Sequence, residues 1–108
     1  MPRKLPYYLK QYRRRAGFSQ ADVAYLLGAT AKTKVSRYER GRHLPELRAA
    51  FALEAMLGVP VAELFPSAFK EARRAIIRRA RGRSAMLAGF PQNGRTARRQ
   101  RSLEKILA

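Results

Sequence analysis

Cysteine is absent from the 108 residues, which excludes a disulfide framework and a thiolate metal site. A single histidine, His43, leaves an imidazole-based zinc site without partners. No apolar run approaches the roughly 18 residues of a membrane span. The leading residues MPRKLPYYLK lack the apolar core of a signal peptide, so the expectation is a cytoplasmic protein. No stretch alternates well enough for a strand. Acids are scarce. Asp22, Glu39, Glu46, Glu54, Glu63, Glu71 and Glu104 are all of them, and no two form a close pair suited to acid–base chemistry. Ser19 and Ser36 have no histidine and acid spaced beside them. The glycines are too scattered for a phosphate-cradling loop. An enzyme is not expected, and no cofactor or metal is.

What is there is positive charge. Twenty-four Lys and Arg face seven acids, a net charge of +17. A genome that favours arginine explains Arg over Lys, but not the shortage of acids. Such an imbalance repels itself and seeks a polyanion, nucleic acid first and an anionic membrane surface second.

The most informative stretch is Ser19–Gly41, SQADVAYLLGATAKTKVSRYERG. Ser19 suits a helix N-cap, and Val23, Ala24 and Leu27 share one helical face. Gly28 suits the left-handed turn that ends a helix. A second helix is predicted from about Lys32 to Arg40, stopped by Gly41. Its apolar seam is only Val35 and Tyr38. Lys32, Thr33, Lys34, Ser36, Arg37 and Arg40 make the rest polar and mostly basic. A helix with a thin seam and a wide basic face lies on a scaffold and offers its outer side to phosphates and base edges. Tyr38 shares its face with Val35 and reads as core rather than as a stacking platform.

This stretch resembles the helix-turn-helix of the phage-repressor and Cro-like family, also called the xenobiotic-response-element type. The pattern is Ser19-Gln20, Val23-Ala24, Leu27-Gly28, then Val35-Ser36-Arg37-Tyr38-Glu39-Arg40-Gly41 and Pro45. The resemblance covers about residues 5–65. Between Gly28 and Val35 this chain has one residue more than the commonest form of the motif. The resemblance implies a five-helix repressor-like domain in which the first motif helix crosses the DNA backbone and the second enters the major groove. It places Lys32, Thr33, Ser36 and Arg37, with Lys34 between them, toward base edges. Arg and Lys favour guanine O6 and N7, and a Thr methyl can meet a thymine methyl. Arg37, central on the exposed face, is the leading base reader, while the lysines suit phosphates nearly as well.

Ser19 and Gln20 at the first helix's start, and Arg40, Arg42 and His43 after the second, are the candidate phosphate contacts. In the resembled family the Gln also braces the recognition helix; the alternative is a solvated surface Gln20. The family likewise implies an ion pair between Arg13 and Glu39, an acid otherwise at odds with its basic neighbours. Without the pair, Glu39 merely offsets surface arginines. The family usually binds as two-fold dimers, so a homodimer on a palindrome is expected.

Around the motif, Met1–Lys4 reads as a basic arm and Pro6 as the opening of helix one, with Leu5, Leu9 and Tyr12 on one face and Gly17 at its end. Phe18 reads as core. Helix four is predicted over PELRAAFALEAMLG, with Leu47, Ala50, Phe51, Glu54 and Leu57 on its stripe, widened by Leu53 and Met56. VAELF makes a fifth helix, ended by Pro66. The predicted class is all-α, with residues 1–66 as the helix-turn-helix DNA-binding domain.

Residues 67–108 form a basic, partly helical extension holding 12 Lys and Arg against 2 acids, a net of +10. A sixth helix carries Phe69, Ala72, Ile76 and Ala80 on one face and is broken at Gly82. A loop follows, then a last helix with Leu103, Ile106 and Leu107, capped by Thr96. An Arg-rich helix over an apolar stripe suits dimerisation through Phe69, Ile76 and Ile77, packing on the core, DNA backbone, RNA, an acidic protein or acidic lipid. Residues 82–108 also suit disorder until binding. The function that best joins these features is a sequence-specific transcriptional regulator, a repressor in the family's usual sense. The rivals are an RNA-associated or transcription-bridging protein and the antitoxin of a toxin pair.

Overall fold

The computed structural model describes residues 7–28 and 32–108. The basic arm, Leu5, Pro6 and the lengthened turn at residues 29–31 lie outside them. The described residues form seven α-helices and no strand: α1 Leu9–Arg15, α2 Gln20–Leu26, α3 Thr33–Glu39, α4 Leu47–Leu57, α5 Val61–Leu64, α6 Pro66–Leu87 and α7 Gly94–Leu107. The all-α class holds. The chain packs as two units, one ending at Phe69 and one spanning Lys70–Ala108.

In the first unit, short helices pool narrow apolar faces into one core. Leu9, Val23, Val35, Leu53 and Leu64 are fully buried, one from each of α1 to α5, with Ala24, Tyr38 and Phe65 around them. Helices of seven residues are too short to persist alone in water, so this shared burial holds them. Four glycines, Gly17, Gly28, Gly41 and Gly58, take the left-handed conformation. At Gly17 and Gly41, φ is +82° and +74°, a region that costs other residues steric strain. In both, the next residue's amide reaches back to close the helix: Phe18 N to Arg13 O at 3.1 Å and Arg42 N to Arg37 O at 2.9 Å. The amide of Tyr8 donates to the carbonyl of Leu64 at 2.9 Å and so ties the start of α1 to the end of α5.

Helix α4 departs from its predicted stripe. Ala50 and Leu53 are buried, but Leu47 and Phe51 are 68% and 59% exposed. Periodicity finds an apolar face, but the core covers only the edge that contains Leu53. Glu54 is exposed, and its carboxylate accepts from the amide of Val61 at 3.0 Å, which fixes the turn into α5.

The last two helices correct three readings. Pro66 opens α6 instead of merely ending α5, because its fixed φ suits a first helical turn. Gly82 does not break α6, which continues to Leu87. A lone interior glycine costs only about 1 kcal/mol against alanine, and its neighbours favour helix. The cap of α7 is Asn93, not Thr96: Asn93 Oδ1 accepts from the Thr96 amide at 2.9 Å. Thr96 is buried, with its hydroxyl donating to the Pro91 carbonyl at 3.3 Å. Ser84 and Gln100 join the two helices reciprocally. The Ser84 hydroxyl donates to Gln100 Oε1 at 3.0 Å, and Gln100 Nε2 donates to the Ser84 carbonyl at 3.1 Å. Phe69 and Ile76, about half exposed, are not core.

A Cβ built on Gly82 meets nothing within 4 Å. Gly82→Ala is therefore expected to raise stability by about 0.5–1 kcal/mol, measured as a higher denaturation midpoint of the unit that contains residue 82. An unchanged or lower midpoint would show that a side chain at residue 82 brings no gain in helix stability.

Candidate nucleic-acid interface

The interface is built on α2 and α3. Ser19 starts α2 with a reciprocal cap: its hydroxyl accepts from the Asp22 amide at 3.0 Å, and its own amide donates to Asp22 Oδ2 at 2.8 Å. This uses two amides that the expected phosphate clamp would otherwise offer. The Ser-x-x-Asp spacing of a capping box was in the sequence, and Asp22 is the site-region residue that its reading missed.

Arg13 from α1 reaches across to α3. Its Nε donates to Glu39 Oε2 at 2.5 Å and its Nη2 to Glu39 Oε1 at 3.2 Å, while Nη1 donates to the Phe18 carbonyl at 2.9 Å. Gln20 Nε2 donates to the same Glu39 Oε1 at 3.0 Å. The Arg13 and Glu39 side chains are 9% and 4% exposed. One carboxylate thus collects donors from the start of α2 and the last turn of α1, which fixes α3 against both. Gln20, proposed from sequence as a phosphate contact, spends one amide hydrogen inward.

With Val35, Tyr38 and the Glu39 carboxylate buried, helical spacing of about 100° per residue sets the outward face. Thr33, Arg37 and Arg40 lie opposite the buried seam, and all three are exposed. Ser36 borders that face and is half-buried. Lys32 is the exposed residue preceding α3, on the Glu39 flank. Lys34 falls on the Tyr38 flank. It lines a cavity of about 410 Å³ beside α4 with Tyr38, Glu46 and Arg48. The five residues expected at base edges therefore divide: Thr33 and Arg37 share the central face, Ser36 sits at its edge, and the two lysines flank it. Arg42 and His43 follow the Gly41 turn, both exposed and both with amides directed to the Arg37 carbonyl, at 2.9 and 3.4 Å. Burial, with a lesser push from the Glu46 carboxylate, raises the Tyr38 phenol above its ordinary value of 10.0. That ring is part of the core and stays neutral at physiological pH.

Two short helices packed across a turn, the second with a free basic face, define a helix-turn-helix, the class of fold that regulators use to bind DNA. The sequence model of the helix-turn-helix domain family matches residues 7–64, and the chain belongs to that family. No curated protein and no solved structure matches it. Among the described residues, no group of three or more His, Cys, Asp or Glu is placed to hold a metal ion. No helix there is long and apolar enough to cross a membrane.

Proposed function

We propose that the protein is a sequence-specific transcriptional regulator, a repressor by occupancy of its site, that reads the major groove with α3. The observation that carries this reading is the outward triad Thr33, Arg37 and Arg40 on a helix pinned from behind by Arg13, Gln20 and Glu39. A helix held in place beforehand loses less freedom on binding. In this reading Arg37 takes guanine O6 and N7, and Thr33 meets a thymine methyl. Ser36 adds an edge contact. Lys32, Lys34, Arg40, Arg42 and His43 take phosphates, joined by the Ser19 hydroxyl and the remaining amide hydrogen of Gln20.

Selection of bound duplexes from random sequence tests the reading, and a defined consensus is the expected result. Arg37→Ala should relax one base-pair position and weaken specific binding by about 1–3 kcal/mol. Equal losses on the selected and a scrambled duplex would make Arg37 a phosphate contact instead.

The same reading includes a two-fold homodimer on DNA. Its support is a run of exposed apolar side chains: Leu47 and Phe51 at i and i+4 on α4, with Leu44 in the loop before it, 68%, 59% and 56% exposed. This run begins directly after the α3 turn, where a second copy on the adjacent half-site would meet it. Phe51→Asp is expected to abolish cooperative binding to a paired site by placing two carboxylates face to face, and to leave affinity for a single half-site unchanged. Retained cooperativity would remove this surface from the dimer.

A further inference from the structure

The pair α6 and α7 carries a surface that DNA reading by α3 does not use. Ser84 meets Gln100, and Ile76 and Ile106 line one concavity, so the two helices run antiparallel. That concavity measures about 470 Å³. Its floor is apolar: Ile76, Ala80 and Met86 from α6, Leu103 and Ile106 from α7. Ile76, Met86 and Ile106 are 49%, 44% and 38% exposed. Arg79 and Arg83 stand in the same lining. Arg83 also joins Arg95, Arg98 and Arg99 around an adjoining hollow. None of these guanidinium groups has a carboxylate partner among the described residues.

Gly82 lies in this lining. Nothing in the chain requires a glycine there, since a Cβ would meet no atom within 4 Å and its φ is not in the left-handed region. The missing side chain leaves room there for a second backbone to come close. The unit's own buried residues are few, Ala80, Leu87 and Thr96, so a third helix would add cover that the pair lacks.

We propose that this groove binds an amphipathic helix of another protein, with an apolar stripe on the floor and acidic side chains along its edges. A nucleic-acid strand would satisfy the arginines but leave the apolar floor in water. A second copy of this chain would bring more arginines to the same rim. An acidic helix satisfies floor and rim together, in the helix-in-groove mode of recognition.

The test uses the full chain and a fluorescent designed peptide of about 20 residues, with leucines at i, i+3, i+4 and i+7 and glutamates on both flanks. Saturable binding by anisotropy is expected near physiological salt, where bare surface attraction is screened. Gly82→Leu fills the groove with a good helix former. It should weaken the peptide at least about tenfold, with helical circular dichroism and affinity for duplex DNA unchanged. Arg79→Glu with Arg83→Glu should weaken it by a similar factor. A peptide of the same composition with its leucines dispersed should bind at least about tenfold more weakly. Any of four results overturns the proposal: no binding, equal binding of the dispersed peptide, indifference to Gly82→Leu, or capture by phosphatidylserine vesicles in preference to the peptide.

Discussion

Glu39→Ala is expected to cost the helix-turn-helix unit about 3–5 kcal/mol, the range for stranding one member of a buried ion pair. Against a typical stability of about 5–15 kcal/mol for a domain, that is a large part of the margin. The Arg13 guanidinium would remain in a site that leaves its side chain 9% exposed, with only the Phe18 carbonyl as acceptor. Gln20 would lose its partner as well. Arg13→Met alone leaves the carboxylate with Gln20 only and should also destabilise. Arg13→Met combined with Glu39→Leu removes both charges and should cost well under the sum. Urea denaturation followed by circular dichroism measures all three. Simple additivity would show that the two side chains do not support one another, whatever their separation. Because α3 hangs on this carboxylate, sequence preference should degrade before non-specific affinity does.

The second large effect is in salt. A basic protein that contacts several phosphates loses roughly 10³-fold or more in affinity between 50 and 200 mM salt, with a log–log slope of about 0.9 per phosphate neutralised. Arg74, Arg78 and Arg81 are exposed and lie at i, i+4 and i+7, on the side of α6 away from Ile76. If this face adds backbone contacts, changing all three to Gln should lower the slope by up to about three times 0.9. Affinity should fall for every duplex alike, and the preferred sequence should not change. The measurement belongs on a single half-site, where dimer contacts do not enter. An unchanged slope would take these three arginines off the DNA.

The motif region was legible because its signals agree with one another. Ser19 caps, Val23 and Val35 bury, and Gly41 turns, each at the place its own chemistry favours. What was not legible depended on which neighbour covers which face. Leu47 and Phe51 look like core in any window, yet their exposure is decided by which edge of α4 turns toward the core around Leu53. Gly82 reads locally as a break, yet one glycine in a helix of 22 residues is only a modest cost. Asn93 and Thr96 are both fair caps, and the choice fell to the one whose side chain faces the first free amides while the other is buried beneath. The division among Lys32, Thr33, Lys34, Ser36 and Arg37 needed the buried side of α3 to be known as three residues, Val35, Tyr38 and Glu39, not two.

The bond from the Tyr8 amide to the Leu64 carbonyl bears on how the chain is made. Its donor is synthesised 56 residues ahead of its acceptor (64 less 8). At 5–20 residues per second that is a wait of roughly 3–11 s. Arg13 waits less, since Glu39 follows 26 residues later. Growing chains should therefore first gather α1, α2 and α3 around the carboxylate, and only afterwards close the ring through α5. Until that closure the apolar side of α1 lacks its last cover.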